Sequence, residues 1–263
     1  MWSSRRGRHS VRGTCETDRQ ASRIDGSLQP VKKLFGIMAR SSDLGEWLIL
    51  VLKPRGSEIE LSQADREKWD SRYLGGAYET RTHPSVLLAH WAGRLEGTGA
   101  TPRAIDFACG SGRNALFLAR LGWHVDAIDI SAVALERLQA AADAEGLPVR
   151  CVRRDLEPAS SALDGLENQQ FNLALVIRYT DFQLVEAIPR ALAPGGYLLA
   201  EMHLQTDASV AGPRNPRFRV APGELRRACA ALELLHYHEG LVTDPDGRRV
   251  ALAQVVGRRR GTA

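Results

Sequence analysis

The sequence predicts a doubly wound α/β domain around a seven-stranded sheet, mostly parallel and closing on a C-terminal antiparallel hairpin. Three observations carry this expectation. Short apolar runs without alternation recur at 104–108, 125–130, 149–152, 171–177 and 197–202, the pattern of strands covered on both faces. Segments of helical period lie between them, and a crossover of that kind sets successive strands parallel. The end of the chain differs, because the runs at 234–241 and 249–256 flank Asp244-Pro245-Asp246-Gly247. That turn signal joins two strands directly, and strands so joined are antiparallel.

At 263 residues the chain has room for one large α/β domain and an extension. Residues 1–60 are rich in Arg, Ser and Gly and carry no sustained period apart from the apolar run at 47–52. They read as a largely disordered extension, with the folded domain over 61–260. The basic start (Arg5, Arg6, Arg8, Arg12) reads as a solvated tail, as sequence upstream of an internal start at Met38, or as a nucleic-acid arm. All of the formal +4 charge belongs to this stretch, which holds 11 basic against 7 acidic residues. A nearly neutral domain argues against a protein built to grip nucleic acid. The run at 47–52 is far below the roughly 18 apolar residues that span a bilayer, and no apolar segment follows the Arg-rich start. Cys15, Cys109, Cys151 and Cys229 are scattered and form no C-x-x-C pair, as expected of reduced thiols in a cytoplasmic protein. A monomer or weak homo-oligomer is expected, and no metal site.

Taken in order, the domain opens near Ser62, an N-cap candidate with Asp65 three positions on. The helix that follows, 64–73, sets Trp69 and Tyr73 four residues apart on one face. His83-Pro84-Ser85 breaks the chain before a second helix over 85–95. The run from Ala104 then ends in Asp106 and a loop, Gly110-Ser111-Gly112, ahead of a helix at 115–121 closed by Gly122. Glycines here allow a sharp turn and a close approach to a ligand, which would face the free N–H groups of the helix start. Gly110-x-Gly112-x-x-Ala115 also fits the dinucleotide fingerprint. Asp106, four residues before Gly110, speaks against a pyrophosphate, because a fixed negative charge would repel it while favouring a cationic ligand.

The second strand ends at Asp129, 17 residues after Gly112, where an acid can accept both ribose hydroxyls of an adenosine. Ser131 caps the next helix, whose Ala134, Leu135, Leu138 and Ala142 form one apolar face before Gly146. The third strand leads to Arg153-Arg154-Asp155-Leu156. The fourth, 171–177, leads to Arg178-Tyr179-Thr180-Asp181, which either faces an acceptor or caps the next helix. Leu192-Ala193-Pro194-Gly195-Gly196 is read as stopping that helix and opening the fifth strand, which ends at His203. A basic, Pro-broken loop follows, with Arg214 able to draw in an anion, and then a helix over 223–232.

Asp106-x-x-x-Gly110-x-Gly112 resembles motif I of the class I S-adenosylmethionine-dependent methyltransferases, and Leu192-x-Pro-Gly-Gly resembles the mark before their fifth strand. Trp69-Asp-x-x-Tyr73, Gly112-Arg113-Asn114 and Arg214-Asn215-Pro216 look most like the tellurite-resistance and small-thiol group. The resemblance spans about residues 62–258. It implies a Rossmann-like fold, S-adenosyl-L-methionine as cofactor, and transfer of a methyl group to a small-molecule acceptor such as a thiol or a chalcogen oxyanion. It places Asp106 by the methionine end, Asp155 and the Leu156 N–H at the adenine edge, and Trp69, Arg72 and Tyr73, with Tyr78, over the cofactor. Gly110, Gly112, Asn114, Asp129 and Ser131 complete the expected cofactor set, and Arg178, Tyr179 and His203 the acceptor side. The absence of Asn-Pro-Pro-Tyr after the fourth strand counts against base methylation. The alternatives are an NAD(P)-dependent oxidoreductase, which the terminal hairpin and Asp106 disfavour, and a non-catalytic binding protein of the same fold.

Overall fold

The computed structural model describes residues 37–39, 48–50, 56–95, 101–157, 162–167 and 169–261. The expected disorder over 1–60 falls mostly outside these. The chain divides into two units, Met1–Lys53 and Pro54–Ala263. In the first, β1 (Ile37–Ala39) pairs antiparallel with β2 (Leu48–Leu50).

The second unit is built on a seven-stranded sheet. Its strands are β3 (Arg103–Phe107), β4 (His124–Asp129), β5 (Val149–Arg153), β6 (Phe171–Ile177), β7 (Leu192–His203), β8 (Glu233–Thr243) and β9 (Arg249–Arg258). Their order is β5-β4-β3-β6-β7-β9-β8. The first five run parallel, and β9 lies antiparallel to both β7 and β8. This is the expected Rossmann-like fold. From β3 the order proceeds outward to β5, then returns across β3 to β6 and β7. A crevice therefore opens at the carboxyl ends of β3 and β6, the place where such sheets bind ligands.

Helices α2 (Val86–Trp91), α3 (Arg113–Arg120) and α4 (Ala132–Glu145) cover one face. Helices α5 (Phe182–Ala187) and α6 (Glu224–Ala228) cover the other. The buried residues of α4 are Ala134, Leu135, Leu138 and Ala142, the stripe read from its period; a fully buried Leu contributes about 1.5–3 kcal/mol. Ser131 accepts from the Ala134 N–H at 3.2 Å, and Gly146 ends the helix in the left-handed conformation, so both caps follow the sequence. All seven residues of β6 are buried, which is why its run shows no alternation.

Four boundaries depart from expectation, the first being the helix expected over 85–95, which is α-helical only over Val86–Trp91 and tightens to a 3-10 turn over Ala92–Arg94. Helix α1 spans Gly56–Leu74, which places Ser62 inside the helix rather than at its cap; its mostly polar sequence marks no start. Strand β7 begins at Leu192 instead of Tyr197. The Pro-Gly-Gly segment is a bulge within it, with pairing that passes from Phe171↔Leu192 to Leu173↔Tyr197 and a backbone bond from Gly195 N to Arg259 O at 2.9 Å. The helix expected over 223–232 is shorter, ending at Ala228, because the backbone turns through Cys229 and Leu232 into β8.

Candidate functional site

Four strand ends meet at the crevice. β3 brings Asp106, β4 brings Asp129, the residue after β6 is Arg178, and β7 ends in His203. Between β3 and α3 the backbone is left-handed at Ala108, Gly110 and Gly112 (φ 54°, 56° and 82°). The two glycines do different work. A Cβ on Gly110 would lie 2.5 Å from the Tyr73 hydroxyl, on the side covered by α1, whereas one on Gly112 would lie 2.1 Å from Leu138 Cδ1. Gly112 thus admits α4 to the loop, and Gly110 leaves the room above it.

Asp129 holds this loop. Its Oδ2 accepts from Gly110 N at 2.8 Å and its Oδ1 from Ser131 N at 2.9 Å. Burial raises its pKa, against the pull of the Ser131 and Gly110 N–H groups. A carboxylate has about four acceptor positions, so with these backbone N–H groups bound Asp129 can still accept from a ligand hydroxyl. Asp106 is buried, and its Oδ2 has no hydrogen-bond partner. Burial pushes its pKa up to about 7, with Arg113 pulling it down and Asp129 pushing it up. An acid kept this far from water and left open on one oxygen fits a cationic ligand group. The loop, the diol acceptor and the open acid together fit S-adenosylmethionine.

Helix α1 lies over this ground. Asp70 Oδ1 accepts from Ser131 Oγ at 2.6 Å and from Val133 N at 3.3 Å, at the start of α4. Tyr73 is buried, and its ring lies 6.4 Å from Trp69 and 5.8 Å from Tyr78. The Arg72 guanidinium stands 4.9 Å from the Trp69 ring centre, so that aromatic face already meets a cation of the chain. Asn114 accepts from Ser85 N at 2.9 Å and thereby ties α3 to the start of α2. Ser131 is fully buried as the α4 cap.

Leu156 is buried and Asp155 half-buried after β5, where Asp155 Oδ1 accepts from Glu157 N. Together with Arg66, Ile130, Arg153 and Arg154, Asp155 lines a cleft at this end. Tyr179 packs on the core, and burial raises its pKa, helped by Asp181, Glu157, Asp155 and Asp129. Asp181 caps α5 through Leu184 N at 2.9 Å. Arg178 has φ 64° and is held by Glu201 (Nε to Oε1, 2.5 Å) and Asp244 (Nη2 to Oδ1, 2.8 Å). Burial works against its charge, but the two carboxylates outweigh that and raise its pKa. Burial lowers the pKa of His203 to about 3, with Arg178, Arg219 and Arg81 adding to the effect, so the imidazole is neutral. Arg214 is exposed on its loop.

Arg81, Arg113 and Asp244 share a small cleft with His83. These three, with Asp70 and Glu201, went unread as site residues. Arg113 adjoins the glycine loop in sequence and was within reach of a local reading. Asp70 is the acid of the Trp69-Asp-x-x-Tyr73 pattern, Asp244 sits in a turn signal that conceals a second use, and Arg81 and Glu201 lack any local mark. Among the described residues no cluster of His, Cys, Asp or Glu could hold a metal ion, and no helix is long and apolar enough to cross a membrane.

The methyltransferase domain family matches residues 104–196. Over 187 residues the chain is 34% identical to hemagglutinin 1 of Eikenella corrodens, covering 66% of this chain and 57% of that protein. It is 27% identical over 159 residues to the probable S-adenosyl-L-methionine-dependent methyltransferase TehB of Haemophilus influenzae, covering 57% and 54%. The crystal structure of TehB from that organism aligns with a TM-score of 0.54 at 22% identity, over 66% of this chain and 61% of that one. A structure described for the conversion of a disulfide bond into a thioacetal group in echinomycin biosynthesis aligns at 0.53 and 21%, over 69% and 84%. The chain spans little more than half the length of the curated relatives it matches.

Proposed function

We propose, from the premise that this chain belongs to the class I S-adenosylmethionine-dependent methyltransferases and stands near TehB, that it methylates a small-molecule acceptor, a thiolate or a chalcogen oxyanion. The observation that carries this reading is Asp106, a buried acid with one open oxygen beside a left-handed glycine loop. When bound, S-adenosylmethionine supplies an electrophilic methyl group on a cationic sulfur. Asp106 receives the ammonium of its methionine end, Asp129 the ribose hydroxyls, and Asp155 with the Leu156 N–H the adenine edge.

Tyr73 and Tyr78 close the site from the α1 side, where aromatic faces favour a sulfonium by about 0.5–2 kcal/mol. On the far side, Arg178, with Arg81 and Arg113 nearby, attracts an anionic acceptor and turns it toward the methyl. Holding the two in line is the main source of rate, since the leaving group is already good. A thiolate or oxyanion needs no strong base, which agrees with a His203 that stays neutral and takes up no second proton at neutral pH. The described cysteines are free thiols, which supports a reducing, cytoplasmic setting.

The test is calorimetric titration of the full chain with S-adenosylhomocysteine and with NAD, followed by transfer of labelled methyl to thiol and selenite acceptors. Binding of NAD alone, or of S-adenosylhomocysteine with no acceptor methylated, would overturn the reading.

The open acid also sets a pH dependence. Below about pH 7 Asp106 is protonated in the free protein, so taking up an ammonium there requires release of that proton. S-adenosylhomocysteine affinity should therefore rise by about fivefold from pH 6 to pH 7, reach about tenfold by pH 8 and flatten above it. Asp106→Asn should bind more weakly at pH 8 and lose the slope. Equal affinity of the unaltered chain at pH 6 and pH 8 would remove Asp106 from the cofactor's ammonium.

A further inference from the structure

Two buried side-chain atoms at the carboxyl ends of β6 and β7 have no hydrogen-bond partner, Arg178 Nη1 and His203 Nδ1. Both side chains are well covered, at 10% and 8% exposed. A buried donor left open is costly and points to a ligand or to strain. Here both readings meet. Arg178 is one of four non-glycine residues among those described with a positive φ, and such outliers persist where the surroundings hold them.

The surroundings of Arg178 are specific. Its backbone N–H donates to Glu201 O at 2.7 Å, its Nε to Glu201 Oε1, and its Nη2 to Asp244 Oδ1. Gln254 on β9 occupies the second Glu201 oxygen at 2.7 Å. Strands β6 and β7 and the β8–β9 turn therefore fix one edge of the guanidinium and leave Nη1 facing no protein acceptor. His203 lies two residues beyond Glu201 on the same face of β7. Beside it the loop after β7 contributes Gly212, where a Cβ would stand 2.8 Å from Nδ1. Lacking a Cβ, Gly212 can pack against this edge of the imidazole without placing an atom on Nδ1, with Arg219 Nη2 near the same point. Arg219 pins the loop through Pro213 O at 2.9 Å and Leu204 O at 2.8 Å. Arg81, Arg113, Arg178 and Arg219 gather about Glu201 and Asp244 here, with Asp246 on the same cleft and Asp106 beside Arg113.

We propose that Arg178 Nη1 and His203 Nδ1 form a two-point anchor for an anionic oxygen of the methyl acceptor, with Glu201 and Asp244 as the positioning residues that hold the guanidinium to it. The inference rests on the methyltransferase reading and narrows its acceptor to one with a carboxylate or oxyanion next to the methylated atom. Both nitrogens donate, His203 as its Nδ1–H tautomer. It also makes the terminal hairpin part of the site, because Asp244 begins the turn that joins β8 to β9.

The test uses the full chain with and without S-adenosylhomocysteine, ¹⁵N-labelled at histidine. The probes are mercaptoacetate, selenite and uncharged 2-mercaptoethanol. Either anion should shift the His203 nitrogen resonance saturably, while 2-mercaptoethanol leaves it in place. Mercaptoacetate alone would identify a carboxylate acceptor, and selenite alone an inorganic oxyanion. Asp244→Ala should weaken the effective anion at least about tenfold, as expected when a charged donor loses its hold. Asp244→Asn, which keeps an acceptor oxygen, should largely rescue it, with S-adenosylhomocysteine affinity unchanged in both. Arg178→Ala should abolish the shift, and Arg178→Lys should do so where the alanine variant fails to fold, since one ammonium cannot serve both carboxylates and a ligand. No shift with either anion, equal response to 2-mercaptoethanol, or wild-type anion binding by Asp244→Ala would overturn the anchor. Failure of S-adenosylhomocysteine to bind would instead sink the methyltransferase reading, and the cofactor-free titration would still decide the anchor.

Discussion

Gly110→Val should abolish measurable S-adenosylhomocysteine binding while the sheet stays folded. The backbone there sits at φ 56°, and the added Cβ would lie 2.5 Å from the Tyr73 hydroxyl. A left-handed residue with a side chain costs about 1–2 kcal/mol, and a β-branched one more. That strain moves the Gly110 N–H away from Asp129, and Tyr73 must leave its seat over the loop. Both sides of the cofactor groove shift together, so a loss beyond about a hundredfold is expected, near 3 kcal/mol in binding. Gly112→Ala supplies the contrast. Its Cβ would meet Leu138 Cδ1 at 2.1 Å, inside the α4 contact, and overpacking of this kind costs about 1–3 kcal/mol of folding stability. That variant should lower the melting temperature first and bind whatever fraction stays folded. Tight binding by Gly110→Val, measured by calorimetry with circular dichroism as the folding control, would show that the ligand does not approach this loop.

The contrast between the two glycines marks what was legible in the sequence. Strand β6 and the buried stripe of α4 could be read from period alone, since each is an element whose neighbours cover it uniformly. Asp106 and Asp129 could be placed because an acid at the end of an apolar strand must face the crevice. The start of α1 could not be read, because no apolar stripe distinguishes its first turns from the residues before it. Pro194-Gly195-Gly196 reads as a stop because a bulge uses the same residues as a turn. In the site, Arg178 and Asp244 are joined across 66 residues and Arg178 and Glu201 across 23. Contacts made by strands meeting from distant parts of the chain leave no local spacing to read.

Two truncations should divide the chain sharply. Deleting residues 1–53 should leave S-adenosylhomocysteine affinity and melting temperature nearly unchanged, because the chain divides after Lys53 and the preceding sequence lacks an apolar period to offset an ordering entropy of about 1–2 kcal/mol per residue. Deleting residues 1–78 removes α1 and the turn after it. The start of α4 then loses Asp70, which accepts from Ser131 Oγ and Val133 N, and the Gly110 loop loses Tyr73. Hydrogen bonds to a charged group are worth about 1.5–3 kcal/mol, and the cofactor would also lose its aromatic cover. An affinity loss of at least about thirtyfold follows, with the sheet and its hairpin intact by circular dichroism. The pair Asp70→Ala and Tyr73→Ala in the full chain should reproduce most of that loss without shortening the protein. If the 1–78 deletion and the paired variant both bind S-adenosylhomocysteine as tightly as the whole chain, α1 is packing for the α4 start and covers no ligand.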